Sequence, residues 1–302
     1  MNFDKLVLDG HIHMGANRPL DVEKFLTDHK KAGFNGGLII SVPPASSPEC
    51  KGFKIPALER MIQVKEFCDK CGKTYFPCFW IDPLEKDAIS QVKLAKEMGM
   101  KALKVICTYH SPAAGLPVYQ EAVKYDLPIL FHSGILWDGE DSGQYNRPCE
   151  FECMQYAPGC RFALAHISWP WTDECIALFG KLKNAGTSYG KNCEIYIDSS
   201  PGTPDIYREE VFYKFACLGY DLTNRLIFGI DSNVHKFNIE WAKYTLDFDR
   251  KMFNELNTKV QNFNGYLLLD AIKANGGIKP DQNVLFKNSI SKNLLRFLGE
   301  YL

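Results

Sequence analysis

The sequence predicts an α/β fold: a (β/α)8 TIM barrel with extra C-terminal helices, one domain spanning residues 1–302. Two observations carry this expectation. Eight short apolar runs rich in β-branched and aromatic residues recur roughly 30 residues apart, and stretches of helical period lie between them. A third is length, since barrels of this kind routinely take up a chain of 302 residues as one domain. The competing arrangement, a doubly wound open sheet, usually carries a glycine-rich phosphate loop after its first strand. Here that stretch reads His11-Ile-His-Met-Gly-Ala-Asn-Arg18.

The runs are Lys5 to Asp9, Gly37 to Val42, Tyr75 to Ile81, Ala102 to Cys107, Pro128 to His132, Arg161 to His166, Glu194 to Asp198 and Arg225 to Ile230. Helices are expected between them from ordinary start and stop signals. Asp21 to Lys31 ends at Gly33, Ile55 to Cys71 starts beside Pro56 and ends at Gly72, and Leu84 to Met98 follows Asp82-Pro83 and ends at Gly99. Pro117 to Tyr125, Thr172 to Asn184 and Pro204 to Leu218 fill later positions. The eighth crossover is longer, with helical pattern over Ile239 to Asn257 and Lys259 to Ala274, before a closing helix from about Asn288 to Leu302. No linker, low-complexity tract or repeat interrupts the series.

Composition narrows the function classes. At 46% hydrophobic and 24% charged, the chain has material for a large core. A net charge of −1 and the lack of a basic run argue against nucleic acid as a partner. The apolar stretches fall short of the ~20 residues that span a bilayer, and Met1 to Asp9 lacks the plan of a signal peptide, so a cytoplasmic protein without a membrane partner is expected. In that setting the eleven cysteines read as reduced, buried thiols. The pair Cys68-Asp-Lys-Cys71 has no second CxxC to complete a four-ligand zinc set and is read as structural, as are Cys149, Cys153 and Cys160.

The polar residues carry the chemistry. In such a barrel, function sits at the C-terminal ends of the strands. His11 and His13 end the first run and project to the same side, as residues two apart on a strand do, so they can grip one metal ion together. Lys104 lies on the fourth run, His132 ends the fifth, His166 the sixth, and Asp231 follows the eighth. Four of the seven histidines therefore fall on one rim. A lone histidine or a helix-capping aspartate has a bland reading, but the bland reading must produce all of these positions at once.

This order of residues resembles the amidohydrolase superfamily of metal-dependent barrels. Leu116 to Gly134, Arg161 to His166 and the closing Asn288 to Leu298 look like its amidohydrolase-related (amidohydrolase 2) branch. That branch includes aminocarboxymuconate-semialdehyde decarboxylase, benzoate decarboxylases, and lactone and amide hydrolases. The resemblance implies one divalent metal, zinc first and Mn, Fe or Ni as alternatives, held by His11, His13, His132 and Asp231. It implies that His166 polarises a substrate carbonyl or hydrogen-bonds the metal's water. Lys104 is open between a bridge to a second metal, as in binuclear members, and a place too deep in the barrel to reach one.

The expected reaction is hydrolysis of a small ester, lactone or amide by a metal-activated water, with Asp231 as general base and His166 stabilising the oxyanion. The alternatives are nonoxidative decarboxylation of a small unsaturated or aromatic acid, and a metal-binding barrel without activity. Arg18, Tyr109, His110 and Trp169 are candidate substrate contacts, with Trp171, Arg147 and His235 behind them. The expected partner is a small-molecule substrate, and a homodimer is compatible with the aromatic helices.

Overall fold

The computed structural model describes residues 5–15, 20–50 and 54–301. Strands β1 (Leu8–His13), β2 (Gly36–Ile40), β3 (Tyr75–Trp80), β4 (Ala102–Val105), β5 (Ile129–Phe131), β6 (Arg161–Leu164), β7 (Glu194–Asp198) and β8 (Leu226–Ile227) pair in sequence order, all parallel. A ninth, β9 (Ser232–Asn233), pairs with β1. Since β8 lies on β7 and β9 lies on β1, residues 228–231 join the two edges of the sheet. Gly10 N donates across this seam to Phe228 O at 2.8 Å. Helices α1 (Val22–Lys31), α2 (Ala57–Cys71), α3 (Ala88–Glu97), α4 (Leu116–Lys124), α5 (Thr172–Tyr189) and α6 (Asp205–Cys217) follow their strands, and α7 (Ile239–Asn262), α8 (Tyr266–Ala274), α9 (Gln282–Ser289) and α10 (Lys292–Leu298) complete the chain.

Both faces of the sheet are buried, which is why the strands read as unbroken apolar runs. Phe79, Leu103, Ile129, Phe162 and Ile197 pack outward against helices. Leu38, Cys78, Ala102, Leu130, Ala163 and Tyr196 point inward and share a second cluster with Leu294, Leu295, Phe297 and Leu298 of α10. The last helix thus plugs one end of the barrel. Leu8 N donates to Ile290 O at 2.7 Å and Phe228 N to Ser289 O at 3.1 Å, which seats the plug on the first and last strands.

Four expectations need correction. The first strand begins later than Lys5 and carries both histidines within it, because β2 and β9 hold its polar half from either side. The eighth run, Arg225 to Ile230, is a strand only at Leu226–Ile227, and the short β9 that follows the run pairs with β1 instead of β7. Between β5 and β6 the chain uses a 3-10 segment, Pro148–Tyr156, rather than a crossover α-helix. The closing helix is two helices, α9 starting on the Asp281 cap, whose Oδ1 accepts from Asn283 N at 2.8 Å. In addition α5 runs on to Tyr189, past the expected Asn184, and the break between α7 and α8 falls at 263–265. No helix among the described residues is long and apolar enough to cross a membrane.

A bulge in β1 aims the histidines. Leu8 and Asp9 register with Gly36 and Gly37, whereas Ile12 and His13 register with Ile39 and Ile40. Three steps along β1 therefore match two along β2, and one residue is extra. Leu8 faces the barrel interior and Ile12 the helices, on opposite sides although they are four apart. The extra residue reverses the alternation, and His11 and His13 turn inward. Gly10 sits in the bulge, where an added Cβ would come within 2.5 Å of Ile227 Cγ2 and 2.8 Å of Phe228 O. Gly10→Ala is expected to cost about 2 kcal/mol of stability through this clash, read as a lower denaturant midpoint at unchanged slope. Gly143→Ala, whose Cβ would meet its nearest atom at 3.5 Å, should change stability by less than about 0.5 kcal/mol. Equal midpoints for the two variants would contradict this account of the bulge.

Candidate metal centre

Inward alternation places the functional side chains. Lys104, His132 and Asp198 each lie two residues beyond an interior residue, Ala102, Leu130 and Tyr196, and so face the same way. His11 and His13 come from the bulged strand, and Asp231 from the seam between β8 and β9. His166 does not follow the alternation. Its backbone and those of Ile167 and Ser168 are left-handed, with φ of 61°, 50° and 59°, a conformation that β-branched Ile167 rarely adopts. Thr203 Oγ1 donates to His166 O at 2.6 Å, and Gly202 lies so close that a Cβ there would stand 2.5 Å from His166 Cβ. Asp231 is also left-handed, at φ 53°. Such strain collects where a side chain must be aimed.

His11, His13 and Asp231 form a tight cluster, each offering a ligand atom within 4.8 Å of the others. His11 Nε2 and His13 Nε2 are 3.0 Å apart, and Asp231 Oδ1 lies 3.5 Å and 3.4 Å from them. On the far side of its ring, His11 Nδ1 donates to Asp198 Oδ2 at 2.6 Å. That contact fixes the tautomer, so the Nε2 lone pair faces the cluster. Ser200 Oγ lies 3.1 Å from both His11 Nδ1 and His166 Nδ1. With the His11 proton committed, the hydroxyl donates to His166 Nδ1 and leaves Nε2–H on the other side of that ring.

His132 lies outside the tight cluster. Its ring stands 5.0 Å from that of His166, between centroids, and its Nε2 is buried without a hydrogen-bond partner. Lys104 is fully buried, yet its flexible stem brings Nζ within 3.4 Å of His11 Nε2. Its depth on the strand does not keep it from the site. All six side chains open on one cavity of about 600 Å³.

The electrostatics favour neutral rings around an ionised carboxylate. Burial holds His11 well below its usual pKa, helped by Lys104 and opposed by Asp231. Burial does the same to His132, with His166 adding to it, and brings His166 to about 4 against the pull of Asp231. Burial also lowers Lys104, against Asp231 and Asp198. Burial by itself would raise Asp231, but His11, the hydrogen bond from His13 and His166 together outweigh it and hold the carboxyl well below the usual range. A third of that side chain faces the cavity, at 34% exposure. Two facing imidazole nitrogens share at most one proton, and a carboxylate oxygen beside them accepts only. The cluster and the orphaned His132 Nε2 have more lone pairs than protons, a donor set that suits a divalent cation.

Other expected contacts are placed elsewhere. Tyr109 and His110 line a small neighbouring hollow of about 90 Å³, because the chain turns outward after Cys107; His110 Nδ1 donates to Ser111 O at 3.0 Å. Trp169 does line the main cavity. Arg147 is tied to Glu174 on the surface, with its guanidinium 5.3 Å over the Trp171 ring, and His235 Nε2 donates to Gly15 O at 3.0 Å. Arg18 lies outside the described residues. All eleven cysteines are free thiols, and burial pushes Cys71 of the CxxC pair up to about 12, which makes it a poor thiolate.

Sequence reasoning missed Asp198, Ser200 and Asp9. Asp198 was within reach, since it ends the seventh run at the rim where the other functional residues lie. Asp9 Oδ1 accepts from His11 N at 3.0 Å and from Ile230 N at 2.9 Å. The contact with Ile230 crosses the barrel seam and has no signature in spacing.

The chain is similar to several solved structures. An uncharacterised TIM-barrel protein from Bordetella bronchiseptica matches with a TM-score of 0.62 at 13% identity, over 97% of this chain and 99% of that one. The fold is a TIM barrel. A dihydroorotase from Campylobacter jejuni matches with a TM-score of 0.57 at 13% identity, covering 98% of this chain and 83% of its own. An amidohydrolase from Burkholderia multivorans matches at 0.52 and 9% identity, over 97% and 99%. No family model and no curated protein sequence matches the chain. At these identities the likeness is one of fold.

If Asp198 fixes the His11 tautomer, Asp198→Asn should weaken zinc binding about 10- to 100-fold, measured by competition with a chromophoric chelator. An affinity within about threefold of the parent protein, in a variant that melts normally, would exclude that role.

Proposed function

We propose that the chain is a metal-dependent hydrolase of the amidohydrolase type, cleaving an ester, lactone or amide bond of a small molecule. The observation that carries this reading is the His11, His13 and Asp231 cluster, opening on a cavity at the C-terminal rim of the barrel. The resemblance of motifs and the names of the dihydroorotase and amidohydrolase neighbours support it. His11, His13 and Asp231 would hold the ion, with the unpartnered Nε2 of His132 as the candidate fourth ligand. Zinc suits this mixed nitrogen and oxygen set, and manganese, iron or nickel would be accepted in its place. A divalent ion held there supplies Lewis acidity, bringing the pKa of a coordinated water to about 7 and polarising a carbonyl.

The protein's own groups do the rest. Asp231, ionised and partly open to the cavity, takes the proton of the attacking water and returns it to the leaving nitrogen or oxygen. His166, held neutral by burial and given its Nε2–H by Ser200, donates to the oxygen on which negative charge develops. Lys104 adds positive potential at the floor. On this reading Asp231→Asn should lower kcat/KM by about 10²- to 10⁴-fold. The assay is a panel of lactones, esters, amides and carboxylic acids offered to zinc-loaded protein, with acid release and CO2 both followed. Acid release without CO2 is expected, and CO2 evolution from an unsaturated or aromatic acid would replace hydrolysis by decarboxylation.

A further inference from the structure

The outer wall of the main cavity has a chemistry separate from that of its floor. Ile106, Ile135, Trp137 and Trp169 make its sides flat and apolar. Trp137 is 84% exposed, a large indole face in water that a bound ligand would cover. Among the described residues the charges on this wall are of one sign, from Glu49 and Asp138. Among the described lining residues the cationic side chain is Lys104, and it lies at the floor against His11. Asp138 is fixed in orientation: Oδ1 accepts from Glu140 N at 3.0 Å and from Ser142 Oγ at 3.1 Å, while Oδ2 is buried with no hydrogen-bond partner. The carboxylate brings its charge to the cavity wall, while Oδ2 itself has no open surface there.

We propose that this site takes a flat, apolar amide or ester whose substituent remote from the scissile bond is neutral or, preferably, cationic, and that Glu49 and Asp138 turn away molecules with a carboxylate there. An ammonium group at that end would be drawn to the Glu49 and Asp138 carboxylates, while the flat part lies against Trp137 and Trp169. A carboxylate in the same place would meet two like charges. The scissile bond rests on the hydrolase reading; the charge preference rests on the wall alone.

The test uses zinc-loaded protein and three ligands with one amide: para-(aminomethyl)benzamide, benzamide and para-carbamoylbenzoate. Affinities are read by calorimetry, which needs no turnover. The cationic ligand should bind about tenfold or more tightly than the anionic one. Glu49→Gln, at an exposed position, should narrow the ratio, and adding Asp138→Asn should bring it within about threefold. Trp137→Ala should weaken all three by a similar factor and leave the ratio intact. Equal or tighter binding of the anion, a ratio that survives loss of both carboxylates, or binding of none of the three would overturn the proposal. So would an anion preference abolished by Arg18→Ala, which would make that arginine the holder of a substrate carboxylate. A persisting ratio with no cleavage of any ester or amide would sink the hydrolase reading and keep the wall's charge selection.

Discussion

The Asp9 carboxylate holds the first strand to the last. Its Oδ1 accepts from His11 N within the bulge and from Ile230 N across the seam, next to the two residues, His11 and Asp231, that supply the heart of the cluster. A buried carboxylate pairs with backbone amides because unmet N–H groups are expensive there, and the bulge leaves such groups unpaired by the sheet. Burial raises the Asp9 pKa, with His29 and the amides of His11 and Ile230 pulling the other way. The same group thus closes the barrel and sets the spacing of the site.

From that anchor, order passes outward through His11. Its ring is gripped by Asp198 behind and faces His13 in front, and Ser200 links it to His166. Each link removes a choice of tautomer or rotamer, so the lone pairs converge without a proton to spare. The strained backbone at His166 is held by the loop after β7, through Ser200, Gly202 and Thr203. Rigidity at the floor contrasts with the wall, where Trp137 lies in water.

Much of the fold was legible because a parallel barrel buries both faces of every strand, so the strands stand out as apolar runs. The rim residues were legible to the extent that strand ends share one side of the barrel, which puts His132 and Asp231 on the same cavity as His11. What escaped was whatever one strand's sequence does not encode. The bulge at Gly10 depends on the register with β2, and the short β9 on its pairing with β1. Asp9 and Ser200 matter through contacts made some two hundred residues away. Tyr109 and His110 sit at a strand end like the others but follow a loop that turns outward, which the strand-end rule does not see.

The plug formed by α10 has a consequence for the order of assembly. Leu294, Leu295, Phe297 and Leu298 fill the barrel's lower interior beside Leu8, so the first strand finds its floor only in the last helix. During synthesis the inward faces of the early strands have no partner from that end until the C-terminal helix is made. Such distant contacts are slow to form and leave apolar surface uncovered meanwhile. The inward faces of the early strands therefore stay uncovered at that end up to the final turn, and a chain cut before residue 292 would be an open tube.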